Sequence, residues 1–251
     1  MPKFERRSTR ALAFRSLLIL AGALMMLAAF APRANADLIV YFNFEDAAAI
    51  GSPPDFTSEF DQGLGVASTI TTDYNPAGMD TGPGVPLNVA AGDTDANNFA
   101  LRLRRTATNN GAHFDIPLFT SMGFFSNMTL TFAYNSNGNG FTTVTLLYST
   151  DFGATFTTTG PTATLINAGT AQLATIAVPA GANGAPGLVI RLVVTGGASN
   201  GNNGETIIDN IQIGGTIVPE PATVAGGFIG VLGLCWFQRR RLIRSVRFRR
   251  T

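Results

Sequence analysis

The sequence predicts an all-β domain, an antiparallel sandwich of two sheets, with an apolar helix at each end of the chain. Three observations predict it. Short runs that alternate apolar and polar residues recur between positions 37 and 215. Clusters of Gly, Asn and Pro separate them, and these residues turn or break a chain. No long stretch in that span carries the spacing of an amphipathic helix.

The strands follow in order. Leu38, Val40, Phe42 and Phe44 alternate along the first. Residues 51–98 hold Pro53, Pro54, Pro76, Pro83 and Pro86 among Gly and Asp, which predicts long surface loops with few strands. Leu101 and Leu103 then alternate with Arg102 and Arg104. Met128, Leu130, Phe132 and Tyr134 share a face, with Thr129 and Thr131 opposite. The link from Asn135 to Gly140 is all Asn, Ser and Gly, residues tolerant of positive φ, so strands 128–134 and 141–149 should form a hairpin. Val144, Leu146 and Tyr148 mark the second of these; Ile190, Leu192 and Val194 mark another strand. Ile207, Ile211 and Ile213 mark the last, which should lie close to the first.

Charge is distributed unevenly. The chain has 17 basic and 16 acidic residues, but most basic ones sit at the two ends. Between positions 37 and 218 only Arg102, Arg104, Arg105 and Arg191 remain, against 14 acidic residues, about −10. An acidic surface repels phosphate backbones, which argues against nucleic acid as a partner. The only cysteine is Cys235, near the C-terminus, so the central domain has neither disulfides nor a cysteine zinc site.

Residues 1–36 read as a secretory signal peptide. A basic start precedes the apolar run Leu17 to Phe30, and Ala34-Asn35-Ala36 supplies the small-x-small pattern that signal peptidase cleaves, here before Asp37. The other end, 216–251, has three parts in order: Pro219-Glu220-Pro221, an uncharged segment 222–237 read as a short transmembrane helix, and a basic end 238–251 that starts with Arg239, Arg240 and Arg241. Positive charge after an apolar segment stays on the cytoplasmic side, which leaves the central domain outside. This tripartite tail resembles the PEP-CTERM sorting signal of Gram-negative bacteria. The resemblance implies an exosortase as partner, transit through the cytoplasmic membrane, delivery to the cell surface or beyond, and an association with exopolysaccharide and biofilm.

Two further resemblances concern the domain. Ser149-Thr150-Asp151-Phe152-Gly153-Ala154-Thr155-Phe156 resembles an Asp-box turn, with Phe in place of Trp. One copy without a repeat period argues for a stable turn rather than a propeller. Phe42-Asn43-Phe44-Glu45-Asp46 at the start and Ile208-Asp209-Asn210-Ile211 at the end are similar to the ends of jelly-roll modules in secreted bacterial proteins.

No catalytic constellation stands out. His113 is the only histidine and the G-x-S-x-G elbow is absent. Asp209 attracts notice because residues two apart share a strand face, which groups it with Ile207, Ile211 and Ile213. A carboxylate among core residues needs a partner. Backbone amides or an arginine are one solution. A structural calcium held by Glu45, Asp46 and Asp209 is another, one that jelly-roll carbohydrate-binding modules resembling this domain also suggest. The loop Asp93-Thr94-Asp95-Ala96-Asn97-Asn98 opens like an EF-hand loop but lacks its later glycine and glutamate.

The leading functional reading is a non-enzymatic protein of the cell surface or extracellular matrix. The alternative is a secreted carbohydrate-binding module, and a hydrolase comes last. Sugar binding calls for exposed aromatic rings; Tyr41, Tyr74 and Tyr148 are the candidates, although packing in the core or in a turn is the more natural role for each.

Overall fold

The computed structural model describes residues 37–45, 49–61, 67–93, 99–118, 124–197, 204–218, 226–227 and 229–239. Asn35–Pro219 is one compact unit, and the residues on either side belong to a second. Strands fall into two sheets. The first holds β1 (Asp37–Phe42), β2 (Phe60–Asp61), β4 (Met79–Pro83), β5 (Phe99–Arg104), β7 (Phe124–Asn137), β10 (Gln172–Ala177) and β12 (Glu205–Val218). The second holds β3 (Thr71–Thr72), β6 (His113–Pro117), β8 (Thr143–Ser149), β9 (Thr162–Thr164) and β11 (Val189–Thr195).

The last strand is the middle of the first sheet. β12 runs beside β7 on one side; on the other it meets β5 through its first half and β1 through its second. β10 lies outside β7, and β2 and β4 lie outside β1 and β5. The second sheet runs in the order β3-β6-β11-β8-β9. Alternation explains why the sheets stack. Phe42, Leu103, Phe132 and Ile213 from the first face Phe114, Ile116, Leu146 and Ile190 from the second, and all are buried. Among the described residues the core is drawn from positions 39 to 213, so this unit has what it needs to fold by itself.

Two expectations need correction. The predicted hairpin between 128–134 and 141–149 does not form: β7 pairs with β10 and β12, while β8 lies in the other sheet beside β11 and β9. The turn chemistry is there, with Gly140 N–H donating to the Asn137 carbonyl at 3.0 Å and Gly138 at φ 54°. The chain then crosses the sandwich instead of folding back, because Phe141 is drawn fully into the core. A polar knot holds the crossing. The Thr206 hydroxyl takes the Phe141 N–H at 2.9 Å and lies 3.1 Å from the Ser136 hydroxyl, which donates to Asn167 Oδ1 at 2.6 Å. Gly140 sits against this knot with no room for a side chain: a Cβ there would come within 2.5 Å of the Glu205 carbonyl and 2.7 Å of both hydroxyls.

The second correction concerns parity in β12. Its register shifts between Asp209 and Gln212, where Asn210 adopts a left-handed φ of 49°. Such a bulge inserts a residue and flips the faces beyond it. Ile211 and Ile213 therefore join the main core with Ile208, whereas Ile207 packs with Val85, Ala100 and Ala133 on the outer face of the sheet. Asp209 shares that outer side with Ile207 and not the core side with Ile211 and Ile213.

The span 51–98 contains, in its described part, β2, β3, β4 and a 3₁₀ turn at Pro76–Gly78. After β8 the Asp-box-like segment folds as a tight turn. Asp151 accepts the Thr155 N–H at 2.9 Å and hydroxyl at 2.6 Å, while the Ser149 hydroxyl reaches Asp151 Oδ1 at 2.6 Å. These bonds, Ser149 first, hold the Asp151 carboxyl down at about 2. Phe156, in the place of the usual Trp, lies under the Arg191 guanidinium at 3.6 Å. At the C-terminus, residues 226–227 and 229–239 are helical. Among the described residues no helix is long and apolar enough to cross a membrane. Ala34, Ala36, Asp46, Pro219, Glu220, Pro221, Arg240 and Arg241 lie outside the described residues; Asp37 opens β1 and Arg239 is the last described residue of the helix.

Candidate functional site

The bulge in β12 organises the outer face of the first sheet by gripping residues 85–88 from a loop that crosses it. Asp209 Oδ2 accepts the Val85 N–H at 2.7 Å, and Oδ1 accepts the N–H of Asn210 at 2.7 Å. The Asn210 amide nitrogen donates to the Val85 and Leu87 carbonyls, each at 2.9 Å. Asn88 returns a bond to the Asn210 carbonyl at 2.6 Å, and the Gln212 side-chain amide donates to the Asn88 carbonyl. Only a residue that tolerates positive φ can turn its backbone here and still offer a side-chain amide, which is why asparagine suits position 210.

The same network reaches β1. The Tyr41 hydroxyl lies 2.7 Å from Asp93 Oδ2 and 2.5 Å from Asn210 Oδ1 and shares its one proton between these acceptors. Burial, reinforced by the bond to Asp93 and its charge, holds this phenol protonated far above its ordinary range. The loop is thus tied down at both ends: at Val85 by Asp209 and at Asp93 by Tyr41.

Tied this way, the loop walls a cleft of about 600 Å³ on the sheet. Leu38 and Gln212 form part of its floor, Ala90, Ala91, Gly92 and Asp93 one wall, and Glu59 and Phe60 the other. The volume lies in the range of small-ligand sites. Phe60 is 43% exposed, an unusual position for a phenylalanine, because β2 is only two residues long and lies outermost beside β1. The cleft therefore offers one aromatic face between carboxylates and an amide.

The predicted site residues fall out as follows. Tyr41 and Tyr74 are buried and Tyr148 packs half-buried against the core, so none is a platform. The aromatic rings that do face solvent in the domain's described part are Phe60 and Phe152. Asp209 is fully buried and its partners are the two backbone amides. Glu45 accepts the Phe99 N–H at 3.3 Å and, like Asp93, lies near enough to act on the Asp209 charge. Among the described residues no group of three or more His, Cys, Asp or Glu is placed to hold a metal ion. His113 sits on the outer face of the second sheet, Nδ1 3.0 Å from Asp73, and Asp115 beside it forms a two-pronged pair with Arg191 at 2.7 Å. Arg102 and Arg104 both bind Asp80, and Arg105 donates to the Gly196 and Thr106 carbonyls. All four arginines of the domain are thus committed to internal partners.

Sequence reading missed Glu59, Phe60 and Gln212. Phe60 stands in a proline-rich span with no alternation, and Gln212 gains its place only through the bulge.

No protein-family model matches the chain, and no curated protein matches it. Among solved structures, the CBM22-1 xylan-binding domain of Paenibacillus barcinonensis Xyn10C has a TM-score of 0.41 at 10% identity, over 74% of this chain and 98% of that one. A mannan-recognising carbohydrate-binding module, TmCBM27, has a TM-score of 0.35 at 11% identity, over 72% and 99%. The enzymatically active domain of tailspike protein 4 from bacteriophage CBA120 has a TM-score of 0.36 at 14% identity; this chain spans only 19% of it and 60% of its own length is covered.

Proposed function

We propose that this is an exported carbohydrate-binding protein whose domain holds a glycan in the cleft between β2 and the Val85–Asp93 loop. The observation that carries the reading is the exposed Phe60 ring beside Glu59, Asp93 and Gln212. A pyranose presents C–H groups on one face and hydroxyls around its rim; the first stack on an aromatic ring and the second bond to carboxylates and amides. With carboxylates in the walls and every domain arginine committed, the cleft suits neutral sugars and disfavours uronic-acid or sulfated chains.

Binding of the 37–218 unit to a panel of neutral and acidic polysaccharides, followed by calorimetry on the hits, tests this. Neutral glycans should bind, and Phe60→Ala should weaken them about tenfold, the worth of one aromatic contact. Equal binding by wild type and Phe60→Ala, or binding only of acidic chains, would be incompatible with this site.

The tail reading stands beside it. Pro219, Glu220 and Pro221 would be met by an exosortase outside the membrane, with Arg239, Arg240 and Arg241 inside. Two prolines keep the motif extended and open to a protease. Changing Glu220→Ala, or the three arginines to Gln, should make unprocessed protein collect in the membrane fraction of an exosortase-bearing host. Processing that is the same for wild type and variants, or that proceeds without any exosortase, would reduce the tail to a plain anchor.

A further inference from the structure

One flank of the sandwich differs from the rest of the surface. β10 ends the first sheet and β9 ends the second, and the two lie side by side. From Phe152 through Ile190 the chain carries no charged side chain, although the domain around it is strongly acidic. Edge strands are ordinarily guarded by lysine, proline or a bulge. β10 has none of these: its sequence is QLATIA, its ladder with β7 is regular over six pairs, and the chain's one lysine is Lys3. Among the described residues, no backbone hydrogen bond joins β10 to anything besides β7. Leu173 on β10 and Ile166 before it are 54% and 59% exposed.

We propose that β10 is a self-association edge, at which a second copy of this chain pairs antiparallel to it and extends the first sheet across a two-fold axis. A like copy is the occupant that the flank fits best. Two acidic domains repel one another over most of their surface, and this flank keeps their charges apart. The strand is also self-complementary. Residues opposite one another in an antiparallel pair point to the same face, so the axis of a symmetric pair passes through a residue rather than between two. With the axis at Thr175, threonine meets threonine, and Leu173 meets Ala177 on the outer face while Ala174 meets Ile176 on the inner one. Every pair is uncharged and joins a large side chain to a small one or like to like. Pairing also covers Leu173, which the domain alone leaves in water.

The test is sedimentation of the 37–218 unit across a range of concentrations. Wild type should dimerise. Thr175→Lys sets two introduced lysines face to face on the axis, and Thr175→Glu does the same with carboxylates, so each alone should raise the dissociation constant at least about tenfold. An equimolar mixture of the two should regain a dimer. Thr71→Lys, on the β3 flank, should behave as wild type, and circular dichroism should show all variants folded. A wild type that stays monomeric throughout, Thr175 variants that associate unchanged, or a mixture that fails to regain the dimer overturns the proposal. None of these outcomes depends on glycan binding, which is measured separately at Phe60.

Discussion

Replacing Gly140 with alanine is expected to destabilise the domain by about 3 kcal/mol or more, an effect reserved for substitutions that force backbone apart. The new methyl would meet the Glu205 carbonyl at 2.5 Å and the Ser136 and Thr206 hydroxyls at 2.7 Å. One neighbour is main chain of the central strand and cannot swing away. The two hydroxyls are engaged with Asn167 and the Phe141 amide and would lose those bonds by moving. Gly169→Ala is the matched control. Gly169 has a left-handed φ of 63° but nothing within 4 Å of a Cβ, so its cost is conformational alone, roughly 1–2 kcal/mol. Urea denaturation of the two variants should separate them clearly. Equal midpoints would mean that the crossing from β7 to β8 is looser than described.

The second large effect is set by pH. Burial raises the Asp209 carboxyl to about 8 against the pull of its two amide bonds, with Glu45 and Asp93 adding to the rise. The folded state then keeps a proton that the unfolded chain gives up near the ordinary carboxyl value of 3.8. Between those values the folded state binds more protons, so stability from this group is greatest in acid and falls as pH rises towards about 8. The loss should amount to a few kcal/mol, on the order of 1.4 kcal/mol for each unit of pKa difference. Asp209→Asn, which cannot ionise, should flatten the melting temperature between pH 5 and 8. Asp209→Ala should cost roughly 1–3 kcal/mol at pH 5 by stranding the Val85 and Asn210 amides. Calcium supplies the discriminating arm. A bound cation would hold Asp209 ionised, raise the melting temperature at pH 8 in wild type only, and remove the pH dependence. A wild type whose melting is flat across this range without calcium would show that Asp209 is not the burdened group.

The strands were legible because their side chains alternate. Met128 to Phe132 and Ile190 to Val194 each set a dry face against a wetter one, and no helix serves that pattern. The first strand differs, since β1 is buried on both faces and a register shift between Leu38 and Val40 takes Leu38 out of the core row and into the cleft. Strand partners were not legible. Asn137 to Gly140 has the composition of a hairpin turn, yet the pull of Phe141 into the core sends the chain to the other sheet. Asp209 shows a subtler limit. Its burial could be inferred from its neighbours, but the bulge at Asn210 changed which neighbours those are. The cleft was the least legible feature. Phe60, Asp93 and Gln212 lie on three elements, and two of them owe their positions to a two-residue strand and to a loop held by side chains far along the chain.

The place of β12 also governs when this domain can fold. Its residues 205–218 are the middle of the first sheet, with β7 on one side and β1 and β5 on the other. During synthesis they emerge last of the described strands. A nascent chain that stops short of them has the outer parts of a sheet and nothing to join them, and pairing of β1 must wait for a partner roughly 170 residues downstream. The domain therefore stays open until nearly all of it has been made, which is the condition a chain must meet to be threaded unfolded through a translocation channel.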